Sequence, residues 1–374
     1  MLLGAWWTDT KNGVALRSIS LTRARLAIAA TFLAVAVAVA GCGGGAAHSR
    51  RSADAQDSGS AARSRAAITL YNGQHEQTTA KLVAAFEKRT GITVHVRSDD
   101  EATLAAQILQ EGASSPADVF YTENTPVLEA LREKGALAPV AASTLASIPS
   151  RYDSKQGRWV GVSARESVLV YNTSQVKPSE LPSSILELAE PKWKGKLGFA
   201  PSETDFQPLI TSIVKADGVA AAEKWLNGLK ANAKVYPDNE TVVSQVNNGE
   251  SAVGLINHYY WYRLRSEIGA GAIHSALHYY APGDAGELLN VSGAAVLASS
   301  SHQRAAQEFL AFLVSENGQE TIAHSHSYEY PLRPGVGPYP GLRPFDQLRP
   351  SSLTPADLGD GSAALAMEQK LGLL

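Results

Sequence analysis

The stretch ITLYNGQHEQTTAKLVAAFEKRTGITVHVRSDD, Ile68–Asp100, sets the class of fold. Ile68-Thr69-Leu70 opens a strand, and Glu76 to Thr90 places Leu82, Val83 and Phe86 on one helical face, with Gly91 as its stop. Ile92, Val94 and Val96 then alternate with polar residues, the pattern of a half-buried strand. A second helix is expected from about Asp100 to Gln110, apolar at Leu104, Ile108 and Leu109 and closed by Gly112, with a third strand at Ala117 to Tyr121. Strand, helix, strand, helix, strand is an α/β unit whose crossovers favour a parallel sheet with helices on both faces.

Ligands of such open sheets bind beyond the carboxyl ends of the strands. His75 follows the first strand through Asn72-Gly73-Gln74, and Glu123 follows the third in Tyr121-Thr122-Glu123, so both land on one rim. A later unit repeats the pattern. Lys196 to Ala200 reads as a strand, Leu209 to Ala216 and Ala220 to Leu229 as helices, and Val253 to Ile256 as a buried strand ending at Tyr259 and Tyr260. Two adjacent phenols at a strand end can supply two anionic oxygens to one hard cation, or can serve as lip packing. His324 and His326 have metal-like spacing, but fall in a helix end and a loop with no companion carboxylate expected nearby.

Outward from these units, the N-terminus carries Arg17, Arg23 and Arg25, an apolar run from Leu26 to Ala40, and then Val39-Ala40-Gly41-Cys42. That is the pattern of a secretory signal with a lipobox, in which Cys42 becomes the lipidated first residue. The residues before Arg17 are long for such a signal, and the expected start lies downstream of Met1. From Gly43 to about Ala66 the chain is Gly, Ala, Ser and Arg without apolar periodicity, a tether. The 374-residue chain has a net charge of -3 and offers no basic field for nucleic acid; one cysteine permits no internal disulfide.

Six strings, in order, then carry a family resemblance: Tyr71-Asn72-Gly73-Gln74-His75, Ala117 through Glu123, Pro191 through Lys196, Tyr259-Tyr260-Trp261-Tyr262, Ser292 through Val296, and Glu329-Tyr330-Pro331-Leu332-Arg333. The chain resembles the ferric-ion-binding proteins of bacterial iron ABC transporters, which are two-lobed periplasmic binding proteins of class II. The resemblance implies a mixed, mostly parallel sheet flanked by helices in each lobe and a ligand cleft between them. After the signal at 1–41 and the tether at 42–66 that the residues themselves indicate, it further implies a first lobe at 67–165 and 290–340, and a second at 166–289 and 341–374. The cargo implied is Fe(III), held by His75, Glu123, Tyr259 and Tyr260 together with carbonate, phosphate or water. Partners implied are an ABC permease and its ATPase, with a monomeric, lipid-anchored binding protein on the outer face of the cytoplasmic membrane.

The anion site departs from the family pattern. Asn239 and Asn257 match side chains that contact the anion, Asn124 replaces a glutamine, and Arg165 matches an arginine near the cleft. The phosphate-binding Ser-Gly-Ala segment, however, aligns with Glu203-Thr204-Asp205. These two carboxylates either point away, bind the metal themselves, or leave water or a smaller anion beside it. They also keep open another cargo for the same fold, a polyamine, thiamine or an organic phosphate. A metal-dependent enzyme is disfavoured, because there is no Gly-x-Ser-x-Gly elbow and no His-Glu-x-x-His helix, and Cys42 belongs to the lipobox.

Overall fold

A computed structural model describes residues 67–374; the expected signal, Cys42 and tether lie outside the described residues. The first unit forms as its periodicity requires: β1 (Ala67–Gly73), α1 (Glu76–Thr90), β2 (Thr93–Ser98), α2 (Glu101–Glu111) and β3 (Val119–Thr122). The three strands are parallel, with β1 between β2 and β3. Leu82, Val83 and Phe86 are buried on α1, and Gly91 closes it in the left-handed conformation at φ 74°. Two apolar positions depart from the expected burial, since Val96 is 44% and Leu109 42% exposed. β2 is the sheet edge, and Leu109 lies one step of about 100° around the helix from Ile108, off the packed stripe.

α3 (Pro126–Glu133) and the short α4 (Ala142–Leu145) lead into the long β4 (Val160–Asn172). The second unit comprises β5 (Leu197–Phe199), α5 (Phe206–Asp217), α6 (Val219–Asn232), β6 (Ala233–Val235), α7 (Asn239–Asn247), β7 (Val253–Asn257), α8 (His258–Ile268) and β8 (Ser275–His278). β9 (Leu289–Val296), α9 (Gln303–Leu313), α10 (Glu316–Ala323), β10 (Tyr330–Pro331) and α11 (Ser362–Leu371) complete the chain.

The fold is two-lobed, and one strand joins the lobes. Val160 to Glu166 of β4 pair antiparallel with β9, which itself lies beside β3; from Ser167 onward β4 pairs antiparallel with β7 instead. β7, β5 and β6 are mutually parallel, so the second unit mirrors the first: three parallel strands and one antiparallel neighbour. The carboxyl ends of β1, β3, β5 and β7 therefore carry His75, Glu123, the Glu203–Asp205 loop and Tyr259 with Tyr260 respectively.

Trp225, Leu226 and Leu229 of α6 pack with Phe206, Leu209, Ile210 and Ile213 of α5 over β5 and β7, and Ala364 of α11 joins that cluster. The segment after residue 340 also touches the other lobe, with Phe345 placed 6.2 Å from Tyr152 and 5.5 Å from Tyr330.

Candidate functional site

Tyr259 and Tyr260 differ from the expected strand end: β7 stops at Asn257, and the pair occupies the first turn of α8. Adjacent side chains on a strand would point to opposite faces. On this helical turn their ring centroids lie 4.1 Å apart, both nearly inaccessible at 0% and 5% exposure. A helix N-terminus also favours negative charge, which matters for a phenol that has to ionise. Arg263, one turn further on, places its guanidinium 4.6 Å from the Tyr259 ring centroid.

The opposite wall is built from the first unit. His75 sits at the N-cap of α1, and its Nδ1 lies 2.7 Å from Glu123 Oε1. Its ring meets that of Tyr259 edge-on at 5.2 Å. Thus the strands' carboxyl ends bring His75, Glu123, Tyr259 and Tyr260 together from both lobes. His75 Nε2 and Tyr259 Oη are buried polar atoms with no hydrogen-bond partner. Such orphans are costly in a folded interior, and a bound group that satisfies them offsets that cost.

Glu101 at the start of α2 holds the Glu123 loop. Its carboxylate accepts from the Asn124 amide N–H at 2.9 Å, from Asn124 Nδ2 at 2.8 Å and from the Thr122 hydroxyl. Gly73 makes this possible: a Cβ there would stand 2.7 Å from Glu101 Cβ. Burial pushes the Glu101 carboxyl up to about 7, against the pull of its hydrogen bonds to Thr122 and Asn124.

Arg165 is wholly buried on β4 and gathers the charge of the site. Its Nη2 donates to Asn124 Oδ1 at 2.7 Å and lies 4.0 Å from Glu123 Oε2, while Nη1 is 3.7 Å from Glu329 Oε1. Burial alone would raise the Glu123 carboxyl; the His75 imidazole and Arg165 outweigh it and hold Glu123 down to about 2. Both phenols are pushed well above their ordinary range, by burial first and then by neighbouring negative charge.

The loop after β5 has a different arrangement. Asp205 accepts from Asn239 Nδ2 at 3.1 Å and from Asn257 Nδ2 at 2.6 Å. Asn124 Nδ2 also reaches Thr204 Oγ1 at 3.1 Å, so the three asparagines expected at an anion are engaged by protein groups. Burial raises Asp205 to about 6, partly countered by Arg165, and raises Glu203 to about 8 with the charge of Asp205 adding to it. His324 does have a carboxylate beside it, Glu320 Oε2 at 3.3 Å one turn back, a surface pair away from the cleft residues.

The cleft in front of the tyrosines has a volume of about 820 Å³ and is lined by His75, Glu76, Glu240, Tyr260, Arg263 and His326, among others. Among the described residues no group of three or more His, Cys, Asp or Glu side chains is placed to hold a metal ion. Arg263 and Glu101 were missed from sequence. The spacing Tyr259-x-x-x-Arg263 was a readable helical signal for the first, whereas nothing local marks the second.

Residues 114–339 match the family described as bacterial extracellular solute-binding protein. The chain is similar to the Fe(3+)-binding periplasmic protein of Serratia marcescens, 36% identical over 82% of this chain and 90% of that one. It is also similar to the major ferric iron-binding protein of Neisseria meningitidis, 38% identical over 82% and 93%. Among solved structures, iron-bound HitA from Pseudomonas aeruginosa is 44% identical, with a TM-score of 0.79 over 82% of this chain and 99% of that one.

Proposed function

The chain belongs to the bacterial extracellular solute-binding protein family, and from that premise we propose that it captures Fe(III) between its lobes for iron uptake. It is a solute-binding protein that works outside the cytoplasm, not an enzyme, and the family implies an ABC transporter as its partner.

The observation that carries the reading is the pair of orphaned atoms, His75 Nε2 and Tyr259 Oη, around the ionised Glu123. Phenolate and carboxylate oxygens suit a hard trivalent cation better than thiolates do. Glu123, Tyr259 and Tyr260 would supply three anions and His75 a neutral nitrogen. These three anions balance a trivalent ion; the Asp205 carboxylate sits on the two amides expected to cradle an exogenous anion, so in this reading the chain carries that anion in covalent form. A cationic amine would find less, since Glu123 is already paired with His75 and Arg165, and Asp205 with two amides.

Binding across the cleft favours the closed arrangement by the ligand's extra affinity for it. We place the hinge where β4 exchanges β9 for β7, between Glu166 and Ser167, with the first lobe at 67–165 and 290–340. Delivery to a permease follows from a tether to the membrane, for which Cys42 is the proposed lipidation site; the Cys42→Ala protein should be released from the membrane fraction.

The deciding experiment is metal analysis with a visible spectrum on protein purified without added iron. A ferric tyrosinate protein is coloured. A colourless protein that takes up no Fe(III) on titration would end the proposal.

A further inference from the structure

We infer that Glu329 is the common anchor of the two first-lobe ligands, a positioning residue that holds the His75 loop through Gln74 and the Glu123 loop through Arg165. The inference rests on the iron-binding reading for its purpose, though the contacts stand without it. Glu329 belongs to the Glu329-Tyr330-Pro331 string, which the ligand set leaves unused. β10 pairs with β4 as Tyr330 to Ala164 and Pro331 to Ser163, and this antiparallel register brings Glu329 beside Arg165.

Two arms leave its carboxylate. Gln74 Nε2 lies 3.4 Å from each oxygen, and Gln74 Oε1 accepts the His75 backbone N–H at 2.7 Å, which fixes the residue that caps α1. The other arm is the ion pair with Arg165 at 3.7 Å, whose second nitrogen holds Asn124 and faces Glu123. Ser163 Oγ donates to Glu329 at 2.8 Å and steadies it from β4. Gln74, Ser163, Arg165 and Glu329 are all at most 4% exposed, so a lost partner leaves a polar group out of contact with bulk water.

The charges give the arrangement its use. The buried Arg165 guanidinium lies between two carboxylates, 4.0 Å from Glu123 and 3.7 Å from Glu329. When Glu123 turns its charge to a metal, Glu329 is the anion that stays with Arg165. Without Glu329, Arg165 would compete with iron for Glu123.

The test uses the full chain with Glu329→Gln, Glu329→Asp and Gln74→Leu. In iron-free protein, amide hydrogen exchange should accelerate about tenfold at both 72–76 and 122–125 in Glu329→Gln, but only at 72–76 in Gln74→Leu. Iron affinity, read by chelator competition, should fall about 10- to 100-fold in Glu329→Gln, and the pH of half-release should move upward, with Glu329→Asp recovering most of both. Unchanged exchange at both segments in Glu329→Gln, or an aspartate no better than the glutamine, overturns the inference. If Glu329→Gln fails to fold, Gln74→Leu decides: exchange at 72–76 no faster than in the wild type removes the anchor. If the wild type takes up no Fe(III), the functional reading falls while the exchange result still judges the anchor.

Discussion

Asn257 Nδ2, at the end of β7, donates to Asp205 Oδ2 at 2.6 Å, a shorter contact than the 3.1 Å ones from Asn239 on α7. That carboxylate occupies the two amide donors, Asn239 and Asn257, that were expected from sequence to contact an anion. Iron uptake should therefore proceed in carbonate- and phosphate-free buffer with an affinity within a few-fold of that in either anion. Asp205→Ala should lose about tenfold or more in anion-free buffer and regain much of it when phosphate or carbonate is added. A strict phosphate requirement in the wild type would contradict the built-in anion.

The metal-free protein should be more stable at pH 5 than at pH 8. The sign follows from Glu101, Glu203 and Asp205, pushed up to about 7, about 8 and about 6, so the folded state holds protons that the unfolded chain releases above its ordinary carboxyl range. Stability falls as pH rises from about 4.5 through those values. Glu101, fully buried, is alone worth on the order of 2 to 3 kcal/mol over that interval. Glu123, held at about 2, contributes stability that is lost only in stronger acid. Melting scans of iron-free protein at several pH values check this; a midpoint that rises steadily from pH 5 to pH 8 would contradict it.

Iron binding should run the other way. Both phenols start protonated, so each iron should displace about two protons above pH 6, and below that a third from Asp205, which is then protonated in the iron-free protein. The apparent affinity should then fall about 100-fold per pH unit near neutrality and more steeply below pH 6. Proton release counted in weakly buffered solution provides an independent measure. A count near zero would mean the tyrosines stay neutral.

The shared rim of His75 and Glu123 was legible because two local facts sufficed, the strand ends and the carboxyl-rim rule. The adjacency of the tyrosine pair was legible, but its place in the fold was not. An apolar run ending in aromatics reads as strand throughout, yet Asn257 is the last extended residue and its successors turn into α8. Roles set by distant partners were not legible. Glu329 meets Gln74 across 255 positions, and Asp205 finds Asn257 across 52, so no window of sequence contains either relation. The carboxylates at Glu203 and Asp205 could be seen to disturb an anion site, but which amides Asp205 would occupy depended on the fold bringing β5 and β7 side by side.

Tyr259→Phe gives the sharpest separation of metal chemistry from packing. The Tyr259 hydroxyl is buried without a partner, and an unsatisfied buried polar group costs ~1–3 kcal/mol. Removing it should leave the iron-free protein as stable as the wild type or up to about 1 kcal/mol more so, with the ring packing against Tyr260 and His75 intact. In the iron-bound protein the same change deletes an anion from a trivalent ion. The phenolate-to-iron band should shift or vanish and affinity should drop by orders of magnitude. Tyr260→Phe should behave alike toward iron. His75→Ala should cost less, because it removes a neutral donor that water can replace. If both phenylalanine variants keep wild-type colour and affinity, the pair is packing, and the cleft has lost the chemistry proposed for it.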